Sequence, residues 1–234
     1  MRVYDAVFLD VGGTLVYPYP SVGEIYASIG RKFGAKASPE IVERSFRQAW
    51  KLLQSEQDAK TDLKYGTNEV ESKIWWRQVV EETFRLAGGI QDIEGCFEEL
   101  YQIFAEPRVW RIFPEVIDVL DQLRGNGCVV GIISNWDHRL PGILEGLGLH
   151  RYFDHIVISS QIGWEKPAPE IFQKALEMSN VAPQKALHVG DSLRDDVGGA
   201  KGVGMDALLI ERREKSQEER VIQSLNELFL YIEQ

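Results

Sequence analysis

The chain has 234 residues, 44% hydrophobic and 26% charged, a balance that excludes a disordered or fibrous polypeptide and allows one large domain or a core with an insertion. A formal net charge of −10 provides no broad basic surface. This argues against nucleic acid as the main partner and requires any anionic substrate to be drawn by a local cluster of metal, lysine or backbone N–H groups.

Residues Tyr4 to Asp10 read as a short apolar run stopped by Val11-Gly12-Gly13-Thr14, that is, a buried strand ending in a glycine loop that presents Asp10. From about Val16 to Ala105 helical periodicity runs throughout and no strand is evident, so an all-helical insert is expected. Its helix starts are marked by Ser38 before Pro39, and by Asn68 with Glu71 three residues on, ahead of Trp76, Val80 and Phe84 at four-residue spacing. Arg31, Arg44 and Arg47 lie on these helices, as solvated faces or as groups reaching toward an anionic substrate.

A helix is then expected over Pro114 to Arg124 and another over Ile171 to Met178. Short apolar runs at Cys128 to Ile133, His155 to Ser159, Ala186 to Gly190 and Ala207 to Ile210 read as buried parallel strands. The alternation implies right-handed βαβ units with helices on both faces of a sheet. The predicted fold is therefore α/β, a Rossmann-like parallel sheet core formed by residues 1–15 and 106–234, with a helical cap of residues 16–105. Glu211 to Arg220 reads as a solvated connection to a last helix. Cys96 and Cys128, the only cysteines, read as buried reduced thiols. With no basic opening segment ahead of an apolar one and no run of 18 apolar residues, a soluble, cytoplasmic protein is expected.

Four short segments fall at predicted strand ends: Asp10 to Thr14, Ser134-Asn135, Lys166-Pro167, and Gly190 to Asp196. The carboxyl ends of neighbouring parallel strands converge on one crevice, so these groups can surround one small ligand, and the insert, starting just after Asp10, is placed to overhang it. The combination suits a phosphate. A carboxylate attacks, a hydroxyl and N–H groups hold the oxygens, Lys166 offsets charge, and Mg²⁺ bridges the carboxylates to the phosphoryl group.

At these residues the sequence resembles the haloacid dehalogenase superfamily, whose pattern is Asp-x-Asp-x-Thr, then Ser or Thr, then Lys, then Gly-Asp with a further acid. The long helical insert resembles that family's C1-type cap. The resemblance implies a hydrolase in which Asp10 is the nucleophile and a Mg²⁺ ligand, the Gly12 carbonyl a second ligand and Asp191 a third. Asp195 or Asp196 completes the acidic side. Asp10, Thr14, Ser134 and Lys166 are the implied catalytic set, with Ser134, Asn135 and Lys166 binding a small anionic substrate, a phosphate monoester.

The pattern breaks at Gly12, where phosphatases of this superfamily carry the Asp that protonates the leaving group. Losing a positioned general acid costs about 10² to 10⁴ in rate, or ~3 to 5 kcal/mol, on poor leaving groups. Haloacid dehalogenases lack this Asp too, so metal-free dehalogenation through Asp10 stands as an alternative, as does a weakly catalytic binding or regulatory protein. The acid cluster at Asp191 favours Mg²⁺ and phosphate, because without a dication the carboxylates repel one another and an anionic substrate. Trp136 and Trp164 flank the motifs as packing or as an aromatic wall. Asp137 is a solvated turn or a replacement acid, and His188 is expected to be a buried packing residue.

Overall fold

A computed structural model describes residues 3–59, 67–212 and 220–232, and the side chains of 55–59 lie outside that description. In chain order the elements are β1 (Ala6–Leu9), β2 (Val16–Pro18), α1 (Val22–Lys32), α2 (Pro39–Ala59), α3 (Glu69–Leu86), α4 (Ile93–Ile103), β3 (Trp110–Ile112) and α5 (Val116–Gly125). There follow β4 (Val129–Ser134), α6 (Leu140–Gly146), β5 (His155–Ile158), α7 (Ser159–Ile162), α8 (Pro169–Ser179), β6 (Ala186–Gly190), a π-helical turn (Leu193–Gly198), α9 (Gly199–Gly202), β7 (Asp206–Ile210), β8 (Val221–Ile222) and α10 (Phe229–Ile232).

The expected strands form one parallel sheet in the order β5-β4-β1-β6-β7-β8. Residues of β1 are buried on both faces. Val7 and Leu9 pack with Val130, Ile132, Leu187 and Val189 against Val116, Leu120 and Ile143, while Ala6 and Phe8 pack with Val157 and Ala207 against Ile171 and Phe172. Alternate residues thus feed opposite layers, as a doubly covered sheet requires. Each fully buried large side chain of this kind contributes roughly 1.5 to 3 kcal/mol.

β1 sits centrally between β4 and β6, and the chain crosses to opposite sides of it, so the crevice for a ligand opens at its carboxyl end. The four helices α1 to α4 fall between β2 and β3, as expected for the insert. The expectation that no strand occurs from Val16 to Ala105 is wrong at its first residues. Val16–Pro18 pairs antiparallel with Trp110–Ile112, a ribbon joining the two ends of the helical segment. At three residues per strand, with Pro18 and Arg111 among them, there is no alternation for a sequence pattern to reveal.

The helix starts follow their signals. The Asn68 side chain accepts from the Glu71 N–H at 3.0 Å, and Val42 N–H donates to the Ser38 carbonyl at 3.0 Å. Residues 213–219 of the charged tail lie outside the described residues. Arg212, at its start, is no idle solvated group: it donates to the carbonyls of Gly13 and Thr14 at 3.0 and 2.6 Å, and pairs with Glu115 at 2.7 Å. It thereby pins the loop after β1. β8 extends the sheet edge and was not legible in a two-residue strand. No helix among the described residues is long and apolar enough to cross a membrane.

Candidate active site

Three strand ends and one loop meet. Asp10 follows β1, Ser134 ends β4, Asp191 follows β6, and Lys166 comes from the loop between α7 and α8. Ser134 Oγ donates to Asp10 Oδ1 at 2.8 Å. Lys166 Nζ donates to the same oxygen at 2.8 Å, to Asp196 Oδ1 at 2.6 Å and to the Ile133 carbonyl at 2.9 Å. All three donor hydrogens of the ammonium thus have acceptors, which fixes the cation between two carboxylates. Burial alone would lower the Lys166 pKa, but the charges of Asp10 and Asp196 and their hydrogen bonds carry it above its ordinary value.

Asp10, Asp191 and Asp196 each place a carboxylate oxygen within 4.8 Å of the others. Asp191 faces the open cavity, yet desolvation by the surrounding protein, then the charges of Asp10 and Asp196, push it up to about 7. Asp196 moves the other way. Burial would raise it, but the Lys166 ammonium and the His188 hydrogen bond hold it well below the usual carboxylate range. The donor set fits Mg²⁺: hard carboxylate oxygens, converging, with Asp191 raised first by desolvation and then by the repulsion that a dication would remove.

Two glycines are needed for this convergence. Gly13 has φ of +73°, and a Cβ there would collide with the Asp191 carboxylate; a Cβ on Gly190 would collide with Asp196. Between Asp195 and Asp196, geometry distinguishes clearly. Asp196 joins the acidic cluster and accepts from Ser192 N–H at 3.0 Å, whereas Asp195 stands on the cavity wall, its backbone N–H donating to Ser192 Oγ at 3.0 Å. Burial raises the Asp195 pKa.

A cavity of about 790 Å³ opens above these groups, lined by Asp10, Gly12, Ser134, Lys166, Asp191 and Asp196 at its base and by residues of α1 to α4 above. Other expected site residues fall elsewhere. Thr14 is fully buried outside that lining, and its hydroxyl has no hydrogen-bond partner among the described residues. Asn135 lines the cavity, but its carboxamide clasps the Lys166 main chain, accepting from N–H at 2.7 Å and donating to the carbonyl at 2.9 Å. That bracket orients Lys166.

Asp137 is neither a solvated turn nor a wall of the cavity. It is fully buried and bound by the Arg139 guanidinium at 2.8 and 2.6 Å. Arg139 does line the cavity, as does Arg47, whereas Arg31 and Arg44 are exposed outside it. Trp136 lines it and Trp164 does not. His188, expected only to pack, meets Phe172 edge-on but also holds Asp196 Oδ1 at 2.7 Å through Nε2. The strand period carried the signal: His188 lies two residues before Gly190, on the face that Asp196 covers. Cys96 and Cys128 are buried and unbridged, as expected.

Comparison with known proteins places the chain in a family. The sequence matches the haloacid dehalogenase-like hydrolase family over residues 4–204. It is similar to haloacid dehalogenase-like hydrolase domain-containing protein 3 of Homo sapiens, 39% identical over 204 residues, covering 86% of this chain and 79% of that protein. Among solved structures it is similar to an HAD phosphatase from Thermococcus onnurineus, 29% identical with a TM-score of 0.64, covering 97% of each chain. The fold also matches the L-2-haloacid dehalogenase of Xanthobacter autotrophicus, 19% identical with a TM-score of 0.71, over 97% of this chain and 98% of that one. A family match across most of the chain, together with that degree of identity to its human relative, means that the chain belongs to the haloacid dehalogenase-like hydrolases.

Proposed function

We propose that the chain is a Mg²⁺-dependent phosphohydrolase that cleaves small phosphate monoesters through an aspartyl-phosphate on Asp10. The observation that carries this reading is the acidic triad, Asp10, Asp191 and Asp196, answered by the single buried ammonium of Lys166. Mg²⁺, held by Asp10 and Asp191 with the Gly12 carbonyl and with Asp196 behind them, would neutralise the carboxylates and the phosphoryl oxygens. Asp10 Oδ2 is the attacking atom, because Oδ1 already accepts from Ser134 and Lys166. Those two donors turn to the non-bridging oxygens as substrate enters, stabilising charge that builds there. Residues 16–105 act as the cap, shedding water from the crevice and choosing the leaving group, in a soluble, cytoplasmic enzyme.

Gly12 offers no proton to the leaving oxygen, so the reading predicts hydrolysis of an activated aryl phosphate that depends on Mg²⁺ and is abolished by EDTA and by Asp10→Asn. Absence of metal-dependent turnover from purified protein would sink it. The same Gly12, and the dehalogenase likeness in fold, favour a second reading: metal-free dehalogenation with Asp10 attacking carbon. Halide release from a 2-haloacid in EDTA selects that reading. The carboxylates beside Asp10 count against it, since they repel a substrate that is itself a carboxylate.

A further inference from the structure

The cavity wall above Asp10 is an unbroken path of aromatic rings. It starts at Gly12, where a Cβ would come 3.3 Å from Trp136 Cζ3. Trp136 meets Trp110 at 5.1 Å between ring centroids, Trp110 meets Phe104 at 5.8 Å, and Phe104 meets Tyr26 at 5.8 Å. On the far side Tyr26 continues through Phe46 at 5.5 Å to Trp50 at 5.9 Å. Every one of these rings lines the cavity.

Polar groups in the same upper space are outnumbered by rings: Arg47, Gln54, Arg139 and the Tyr101 hydroxyl, of which the two arginines already have partners. Arg139 is bound to Asp137 and donates to the Tyr101 carbonyl at 2.9 Å, and Arg47 pairs with Glu43 at 3.0 Å. A hydroxyl-rich leaving group such as a sugar could be met by Tyr101 and Gln54 but would set most of its remaining donors and acceptors against ring faces, which is unfavourable. A flat ring would instead find ring edges and faces at the spacing aromatic pairs prefer. A space of about 790 Å³ suits a ring system, being far larger than phosphate alone requires.

We propose that this site takes aryl phosphates: phosphate monoesters whose leaving group is a flat aromatic system carrying a phenol-like oxygen. The proposal rests on the phosphohydrolase reading above and joins two features that reading leaves separate. Trp136 stands against Gly12, in the space next to the nucleophile, so an aromatic platform is present beside the position that lacks a proton donor. Asp10 attacks phosphorus, the phosphorus–oxygen bond to the ring breaks, and the electron pair departs with the aryloxide. That anion is stabilised by its own ring and takes its proton from solvent. Water then cleaves the aspartyl-phosphate, releasing inorganic phosphate and restoring Asp10.

The test pairs binding with turnover on the full chain in Mg²⁺. Phenylphosphonate, methylphosphonate and inorganic phosphate are titrated by calorimetry, and kcat/KM is measured for phenyl phosphate against acetyl phosphate, which leaves at least as readily and carries no ring. Expected is a preference of about tenfold or more for phenylphosphonate over methylphosphonate, the worth of one good ring contact. Trp110→Leu and Trp50→Leu should each narrow that ratio while inorganic phosphate binds as before; two variants are used because Trp110 is nearly buried and its replacement could unfold the chain. Equal affinity for the two phosphonates, or a ratio unmoved in both variants, overturns the aryl proposal. Equal hydrolysis of both phosphates does so as well, and leaves the phosphohydrolase reading standing. If phosphate does not bind and neither ester turns over, the phosphohydrolase reading falls and the aryl proposal falls with it.

Discussion

On the phosphohydrolase reading, replacing Gly12 by aspartate supplies the proton donor that this position lacks, and the structure sets what that can achieve. A positioned general acid is worth about 10² to 10⁴ in rate on an alkyl phosphate, ~3 to 5 kcal/mol, and little on an aryl phosphate whose oxygen leaves unprotonated. Against this gain stands a steric term. The new Cβ would lie 3.3 Å from Trp136 Cζ3, so the indole must give by a few tenths of an ångström, and the rest of the side chain needs more room. Forcing extra atoms into packed surroundings costs ~1 to 3 kcal/mol. Mid-range values leave ~2 kcal/mol, so Gly12→Asp alone should raise alkyl phosphate turnover by only about thirtyfold, within bounds of no gain and about a thousandfold. Combined with Trp136→Leu, which frees the space, it should approach the full gain. The assay is kcat/KM for an alkyl and an aryl phosphate in the parent, both single variants and the double. Because Trp136→Leu by itself removes a ring that an aryl group would meet, the double variant is read against that single variant: if the alkyl-to-aryl ratio does not rise between the two, the missing acid is not what limits this enzyme.

Three further outcomes follow from the buried charges and thiols. Lys166→Met leaves Asp10 and Asp196 buried without their cation, so beyond loss of activity it should lower stability by ~3 to 5 kcal/mol in denaturant unfolding; a loss under ~1 kcal/mol refutes the buried network. Asp191 is raised to about 7 from an ordinary 3.8, so proton uptake favours the fold. The stability it contributes to the metal-free protein is complete below the unfolded value and lost as pH climbs through about 7. Asp196, depressed instead, contributes above about pH 4 and loses its share as pH falls through its still lower folded value. If Asp191 is a Mg²⁺ ligand as proposed, binding needs it ionised, so the thermal shift produced by Mg²⁺ should grow between about pH 6 and about pH 8, and a shift independent of pH contradicts the assignment. Burial pushes the Cys96 thiol up to about 12, so near pH 8 it should resist a thiol reagent until denaturant is added, and prompt labelling of Cys96 in the native protein would contradict its placement.

The parallel strands were legible because each buries both faces and so reads as an unbroken apolar run, as Ala6–Leu9 does. Ser134 and Asp191 were legible because a parallel sheet brings strand ends together whatever lies between them, whereas Lys166, expected at a strand end, lies beyond α7 in the loop before α8 and reaches the site by the length of its side chain. What failed to show had one of two causes. Some elements are too short for a period to emerge, as in β2, β3 and β8. Other contacts join residues with no local relation, such as Arg212 on the Gly13 carbonyl, 199 positions away. The choice between Asp195 and Asp196 fell to the π-helical turn that carries both, since neighbouring residues on a helix point apart and its start fixes which one turns inward. Asp137 was misread because a local partner, Arg139, folds back on it and permits burial.

The electrostatics of the cavity floor bind these observations together. Three carboxylates share that floor with one ammonium, and Lys166 already spends its hydrogens on Asp10, Asp196 and Ile133. The chain as a whole adds repulsion, with its net charge of −10. A phosphate dianion entering such a site meets net negative charge unless a dication is present, and with one the balance at the floor is close to neutral. The aromatic wall above adds no charge to this balance. If the substrate is an aryl phosphate as proposed, the phosphoryl end is fixed by the floor and the ring end by packing against that wall. On that proposal the cap selects shape and flatness, while the floor selects charge.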